Sequence, residues 1–258
     1  MKLMQACTSA TRGKLQIQFA LLSMLPGIWG TALSAEPPGP DTSIDLTGQW
    51  VAVVTEDWRW RMVTPAKGDA ESVPLNPHGH EVTNAWDPDR DEAAGEQCRA
   101  YGAAGIMRMP TRLRITRENA TTLRIETDAG QQTRVLHFDG KPAPADFAPT
   151  WQGYTSGQWP LAPKPPAKGP TDSVKAVTTH LRPGYLRKNG VPYGENTRVT
   201  EYFDRIDESD GTSWLLVTTL VDDPQYLTST FVTSSHFRKE RDTSKWNLRP
   251  CEIVRPAQ

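Results

Sequence analysis

Apolar and polar residues alternate along much of the chain after residue 45, and this period of two predicts β-strands. In Asp45–Thr55, for example, Trp50, Ala52 and Val54 share one face. The content of Val, Thr, Tyr, Phe and Trp in the later segments is typical of a pleated, half-buried surface. The predicted strands are Asp45–Thr55, Asp57–Val63, Thr111–Arg117, Thr121–Thr127, Gln131–Phe138, 151–159, Ser173–Leu181, Arg198–Ile206, Ser213–Val221 and Leu227–Arg238.

Helix is expected only in two short segments, Val82–Ala85 and Asp91–Tyr101. About nine or ten regularly spaced antiparallel strands must close on themselves or double up, because free strand edges promote association. The sequence therefore predicts an all-β fold with minor helix, either an antiparallel barrel or a strongly curved two-sheet sandwich. A barrel of this size can enclose a small ligand, as lipocalins do.

Residues 1–35 have the layout of a secretory signal peptide. Lys2, Arg12 and Lys14 give a basic start, the apolar stretch 17–29 follows, and small residues precede position 36. The stretch is shorter than the roughly 20 apolar residues that a membrane span needs. We therefore expect export to the periplasm and no membrane span in the mature chain. An uncleaved N-terminal anchor is the alternative.

The mature chain is expected to be one domain. Residues 36–44 are rich in proline and polar residues and predict a short tether, and residues 45–258 carry strands of one character throughout. The whole chain has 29 basic and 30 acidic side chains and a net charge of −1. Since residues 1–35 contain three basic and no acidic residues, the mature chain is more acidic still. This balance argues against a nucleic-acid partner. The oligomeric state is left open.

Two of the three cysteines, Cys98 and Cys251, lie in the predicted mature chain, whereas Cys7 lies in the signal peptide. An isolated pair in an oxidising compartment predicts one disulfide between the middle and the end of the domain. Two free thiols, or a ligand role for Cys98, are the alternatives.

The densest set of polar and aromatic residues lies in Thr179–Asn196. His180 is a candidate general base, Tyr185 or Tyr193 a candidate acid, and Arg182 or Lys188 a candidate partner for a developing oxyanion. Loops held by a rigid sheet are common places for such sites. The alternative is a solvated basic hairpin whose tyrosines pack on their neighbours.

Glu201 is a further catalytic candidate. The period of two places it on the same strand face as Val199 and Phe203, so an inward orientation would surround a carboxylate with apolar groups. An ion pair with an inward arginine is one alternative. The other is that the opposite face, which includes Tyr202, lines the interior.

Trp58 and Trp60 alternate with Arg59 and Arg61, and tryptophan faces can stack on a ligand ring or a guanidinium group. An ordinary half-buried strand would show the same alternation. The predicted ligand-binding residues are Trp58, Trp60, Arg61, Tyr154, Lys188, Asn189, Tyr193 and Tyr202.

No metal or cofactor site is predicted. His78, His80 and the acidic residues of 87–96 invite a metal hypothesis, but the spacings of HExxH and of a calcium loop are missing. The chain also lacks the GxSxG, GxxxxGK[ST], GxGxxG and CxxC patterns. A solvent-exposed acidic connection is the simpler interpretation of residues 78–96.

Several stretches together resemble a large group of exported bacterial proteins that mostly have no assigned function. They are EQC at 96–98, DGK at 139–141, WQGYTSGQW at 151–159, LRPGYLRKNGVPY at 181–193, TEYF at 200–203 and VTTLVDDPQYL at 217–227. The resemblance implies export and a single β domain, for which a lipocalin-like barrel is expected. It implies no reaction.

These observations predict an exported β-barrel protein that binds a small hydrophobic or aromatic molecule. Cofactor-independent lyase or isomerase chemistry is one extension of this prediction, with His180, Glu201, Tyr185 and Arg182 as the catalytic residues. A non-catalytic periplasmic binding or envelope-interaction protein is the alternative. A metal-dependent hydrolase that uses His78 and His80 is a weaker one.

Overall fold

A computed structural model describes residues 44–160 and 173–256. The predicted signal peptide, and the tether apart from residue 44, lie outside the described residues. The strands are β1 Gly48–Val53, β2 Arg112–Asn119, β3 Thr122–Thr127, β4 Thr133–His137, β5 Tyr154–Gln158, β6 Val174–Thr179, β7 Gly184–Tyr185, β8 Pro192–Tyr193, β9 Arg198–Asp207, β10 Ser213–Asp222 and β11 Phe231–Glu240. The α-helices are α1 Trp58–Arg61, α2 Pro77–Ala85 and α3 Pro88–Ala93, and 3-10 turns span Gln97–Tyr101, Ile106–Arg108 and Thr243–Lys245.

Nine strands form a closed barrel in the order β1-β11-β10-β9-β6-β5-β4-β3-β2, which confirms the all-β barrel. Its neighbouring strands are antiparallel except for β4 and β5, which run parallel. The long connection 138–153 carries the chain back along the barrel before β5 begins, and a parallel pair needs such a crossover. Strands β7 and β8 form a separate two-stranded hairpin.

The predicted strand Asp57–Val63 is wrong, because this segment contains helix α1. The backbone N–H groups of Arg61 and Met62 donate to the carbonyls of Asp57 and Trp58, 3.0 and 2.9 Å away. Trp58 is exposed while Trp60 is half-buried, so the two tryptophans do not share one face as they would on a strand. The segment follows β1 at the rim of the barrel, where it has no strand to pair with.

The two predicted helical segments are found, with different bounds. Val82–Ala85 is the end of α2, and Asp91–Tyr101 is divided between α3 and a 3-10 turn. Both α-helices begin earlier than predicted, where the side chains of Asn76 and Asp87 accept backbone N–H groups and a proline opens the first turn.

The interior of the barrel is filled by inward-facing side chains. On β9, Val199, Glu201 and Phe203 are fully buried, while Tyr202 between them is only partly buried. The period of two continues around the barrel, so neighbouring strands contribute side chains at the same level. Apolar residues with at most 1% exposure include Trp50, Leu113, Ile115, Leu123, Ile125, Leu136, Val174, Leu215, Val217 and Phe237.

Two long connections cover one end of the barrel. Residues 54–111 join β1 to β2, and residues 180–197 join β6 to β9; together they are named the cap. Ile106 and Met107 of the cap are buried in the same apolar cluster as the barrel interior. The side-chain amide of Asn189 donates to the backbone carbonyls of Ala66 and Asp69, both at 2.8 Å, and so joins the two connections.

The C-terminal segment is fastened to the cap by the Cys98–Cys251 disulfide, which confirms the predicted bridge. The Cα atoms of the two cysteines are 5.1 Å apart, as in ordinary disulfides. On the way from β11, the Trp246 ring lies under the guanidinium of Arg114 on β2. In the described part of the chain, no helix is long and apolar enough to cross a membrane.

Candidate functional site

Glu201 faces inward, which is one of the two orientations that the sequence left open, and its carboxylate is paired. Arg134 Nη1 donates to Glu201 Oε1 at 3.1 Å, and Arg134 Nη2 donates to Glu201 Oε2. The same guanidinium donates to Thr178 Oγ1 at 3.3 Å. The structure therefore shows the ion-pair alternative, with both carboxylate oxygens held by one arginine.

His180 and Arg182 lie elsewhere, on the outer side of the cap. His180 is exposed with φ 57°, and its Nδ1 is 2.9 Å from the hydroxyl of Thr179. Arg182 pairs with Glu96 and stacks over the ring of Trp151 at 4.4 Å. The structure does not bring these side chains together with Glu201, whose carboxylate is inside the barrel.

Tyr185 takes part in a buried network centred on Asp91. Its phenol donates to Asp91 Oδ2 at 2.6 Å, Trp86 Nε1 donates to the same oxygen at 3.2 Å, and Arg99 donates to Oδ1 at 2.8 Å. Burial, and then the hydrogen bond to Asp91, raise the pKa of Tyr185. The carboxylate is well satisfied, and the network holds the two connections of the cap together.

The other tyrosines predicted to bind ligand lie apart from one another. Tyr193 is 1% exposed, and its hydroxyl has no hydrogen-bond partner among the described residues. Tyr154 stacks on His137 with ring centroids 4.7 Å apart, and Tyr202 lies on the outer face of β9 near Lys175. Burial raises the pKa of Tyr193. These three side chains do not form one binding surface.

Three predicted ligand-binding residues, Trp60, Arg61 and Lys188, do line one pocket of the cap. Helix α1 supplies Trp60 and Arg61, the 3-10 turn at Ile106–Arg108 supplies Arg108, and the turn between β7 and β8 supplies Arg187 and Lys188. Gly105, Met109 and Leu186 complete the lining of this pocket, which is named the arginine pocket. Its volume of about 10 Å³ is roughly what one water molecule needs.

Arg61 is 1% exposed and has no carboxylate partner among the described residues. Its Nε donates to the carbonyl of Arg108 at 3.1 Å and its Nη1 to that of Val53 at 2.8 Å, while Nη2 has no partner. Burial, and then the charge of Arg108, lower the pKa of Arg61 to about 10. The guanidinium is therefore a buried cation whose Nη2 amino group has no partner among the described residues.

The guanidinium of Arg187 has more unpartnered nitrogen atoms than that of Arg61. It is 4% exposed, it stacks over the ring of Trp60 at 4.1 Å, and neither Nε nor Nη1 has a hydrogen-bond partner among the described residues. Burial and the charge of Arg108 lower its pKa to about 10. Lys188 donates to the carbonyl of Met62 at 3.2 Å, and burial lowers its pKa as well.

The acidic side chains near the arginine pocket are engaged with side chains other than Arg61 and Arg187. Asp57 pairs with Arg108 at 3.2 Å, and Glu56 pairs with His236. The remaining two, Asp69 and Glu71, are both bound by Arg59, at 3.0 and 3.1 Å. Arg61 and Arg187 are thus left without a carboxylate, and buried polar groups without partners are uncommon in folded proteins.

A larger open groove of about 880 Å³ lies at the other end of the barrel, beside the β9–β10 hairpin. Two of the charged side chains that line it, Glu240 and Arg205, have ion-pair partners that do not line it. Glu240 binds Arg112 at 2.7 Å, and Arg205 binds Asp207 at 3.0 Å. Although this groove is larger, the arginine pocket has the unpaired buried charge, so we take the arginine pocket as the candidate site.

Sequence reasoning included Arg187 in the dense loop without a role, and it missed Arg108. A signal for Arg108 was present, because it is the one charged residue in the small and apolar stretch 102–110. A lone arginine in such a stretch indicates a buried cation that needs a partner.

His78 and His80 are not part of a metal-binding cluster among the described residues. The ring of His78 stacks on Tyr226 with centroids 5.3 Å apart, and its Nδ1 is 3.6 Å from Glu81. Within residues 44–160 and 173–256, no group of three or more His, Cys, Asp or Glu side chains is placed to hold a metal ion.

Comparison of the chain with known protein families, with curated proteins and with solved structures found no match. The resemblance to exported bacterial proteins therefore stays a prediction.

Proposed function

We propose that this protein is an exported β-barrel protein that binds a small anionic molecule in the arginine pocket. One observation carries the proposal: two buried guanidinium groups, those of Arg61 and Arg187, present unpartnered N–H groups in the same pocket. The disulfide supports export, because disulfides persist mainly in oxidising compartments.

An anion would satisfy both the hydrogen bonding and the charge of the pocket. A buried donor without a partner costs roughly 1–3 kcal/mol, and more when it is charged. Guanidinium groups match the oxygen spacing of carboxylates and phosphates, and such charge-assisted hydrogen bonds are stronger than neutral ones. Because the pocket has room for about one water molecule, one oxygen of the acidic group enters it, and the rest of the ligand lies outside.

The proposal is for binding without a chemical step. The predicted lyase or isomerase chemistry needs His180 and Glu201 near one substrate, whereas His180 is exposed and both oxygens of Glu201 are bound by Arg134. Acid–base chemistry therefore stays a prediction from the sequence. The non-catalytic alternative agrees better with the positions of these side chains.

Inorganic phosphate is the probe that tests this proposal. At a concentration a hundredfold above its dissociation constant, a ligand of the native state raises the free energy of unfolding by about 2.7 kcal/mol. We expect this rise in wild type and in Arg198→Met, where an exposed arginine outside the pocket is removed. We expect no rise in Arg187→Met.

The measurement is urea denaturation at constant ionic strength, with chloride replaced by phosphate. Phosphate also stabilises proteins without binding them, by exclusion from their surface. An equal rise in all three proteins would therefore reflect exclusion and would contradict the proposal.

A further inference from the structure

We infer that the anionic group bound by the arginine pocket is the headgroup of a single amphiphilic molecule, whose apolar part lies on Trp58, Met62 and Val63. These three residues are named the apolar strip. The inference rests on the proposed function and adds the chemical class of the ligand. The exposed fractions of Trp58, Met62 and Val63 are 54%, 48% and 37%.

The apolar strip adjoins the arginine pocket through helix α1. The Met62 N–H donates to the Trp58 carbonyl at 2.9 Å, so these two side chains lie one turn apart on the same side. Trp60 and Arg61, on the intervening turn, line the pocket. Lys188 donates to the Met62 carbonyl at 3.2 Å and thus lies at the border between the pocket and the strip.

The exposed apolar residues of the described chain are concentrated at this place. Single exposed apolar residues are normal and need no explanation. Here, however, three of them lie within six consecutive positions beside unpaired buried cations, whereas the other large ones are dispersed along the sequence. Those others are Ile206, Val232, Leu248 and Val254.

A charged pocket next to an apolar surface fits one molecule with an acidic head and a chain or ring. An anionic membrane surface would present the same chemistry, but four carboxylates lie near Arg61 or Arg187, and three of them are exposed. They are Glu56, Asp57, Asp69 and Glu71. Because a membrane surface repels such carboxylates and a single molecule can avoid them, we favour the single molecule.

The test compares acetate, octanoate and octanol as probes by isothermal titration calorimetry. Each methylene that leaves water strengthens binding roughly three- to fourfold, so octanoate should bind at least about tenfold more tightly than acetate even if few of its methylenes are covered. Octanol lacks the charge and should bind much more weakly than octanoate. Trp58→Ser should weaken octanoate binding several-fold and leave acetate binding unchanged.

Val232→Ser is the matched control, since Val232 is equally exposed, at 56%, but lies on the outer face of β11. It should bind octanoate as wild type does. Because Trp58 and Val232 are both exposed, neither substitution should shift the urea midpoint of unfolding measurably.

The outcomes separate this inference from the proposed function. Equal affinities for acetate and octanoate, or no effect of Trp58→Ser, would overturn the amphiphile and leave anion binding intact. Absence of binding by acetate, octanoate and phosphate would overturn both. Octanol binding as tight as that of octanoate would exclude a headgroup role for the arginines. Co-sedimentation with phosphatidylglycerol vesicles, unaffected by octanoate, would replace the single molecule with a membrane surface.

Discussion

Arg134 and Glu201 form an ion pair inside the barrel, with side-chain exposures of 1% and 0%. The pair joins β4 to β9, which are not neighbours in the sheet, and Arg134 also donates to Thr178 on β6. A pair so completely removed from water depends on each partner for compensation of its charge.

Removal of one partner of this pair should be far more costly than removal of both. Glu201→Leu leaves Arg134 as an uncompensated buried cation and should lower the free energy of unfolding by about 3–5 kcal/mol. The double variant Arg134→Met, Glu201→Leu should lose much less, because two apolar side chains of similar size need no compensation. Urea denaturation of the two single variants and the double variant measures this, and strictly additive losses would contradict it.

Arg61 and Arg187 should respond differently to the same substitution. Arg61→Met removes the donor to two buried carbonyls and should destabilise by roughly 2 kcal/mol. Arg187→Met removes a buried cation that has no hydrogen bond through Nε or Nη1, and methionine can still pack on Trp60. Its stability in low-phosphate buffer should equal or exceed that of wild type. Equal losses in both variants by thermal unfolding would show that Arg187 has a partner in solution.

The buried tyrosine Tyr193 predicts how the free energy of unfolding falls at alkaline pH. Burial raises the pKa of Tyr193, so at pH above about 10 the folded state keeps a proton that the unfolded state has lost. This contribution to stability is complete below pH 10 and falls as the pH rises, by up to about 1.4 kcal/mol per pH unit. Tyr193→Phe should therefore lose less stability than wild type between about pH 9 and pH 11, as measured by urea denaturation at each pH.

At neutral pH, the stability of Tyr193→Phe is compared with that of Tyr185→Phe. Tyr193 has an unpartnered hydroxyl, so Tyr193→Phe should be neutral or slightly stabilising. Tyr185→Phe removes a donor from the buried carboxylate of Asp91 and should cost roughly 1–3 kcal/mol. A larger loss for Tyr193→Phe than for Tyr185→Phe would contradict this order.

The disulfide closes a long loop, since its cysteines are 153 positions apart. Cross-linking reduces the conformational entropy of the unfolded chain, and a loop of this length is worth at most about 5 kcal/mol. The double variant Cys98→Ala, Cys251→Ala should therefore unfold at lower urea concentration, with a loss of roughly 2–5 kcal/mol. Wild type in reducing buffer is the control and should unfold with the variant; no difference between oxidised and reduced wild type would exclude this role.

The strands of the barrel were largely readable from the sequence, because a two-residue period reports which side chains are buried. Arg198–Ile206 and Ser213–Val221 each agree with the observed strand to within one residue. Asp57–Val63 showed the same alternation but forms a helix, because nothing pairs with it at the rim. Local pattern alone does not distinguish a strand in a sheet from a segment outside it.

The residues of the candidate site could be predicted only in part from the sequence. Trp60, Arg61 and Lys188 were expected to bind a ligand, and the arginine pocket contains all three together with Arg108 and Arg187. The inward orientation of Glu201 was one of two alternatives, and its partner Arg134, which is far away in the sequence, was not predicted. Contacts between distant strands depend on strand order and register, which a two-residue period does not contain.

The sequence by itself determined the all-β class, the alternation of faces along the main strands and the single disulfide, because local periodicity and a lone cysteine pair encode these directly. Only the tertiary structure decided that β4 and β9 place Arg134 against Glu201, and that residues 54–111 and 180–197 meet over one end of the barrel. The reason is physical. Burial and charge compensation arise between residues that closure of the barrel brings together, and that closure is a property of the whole chain.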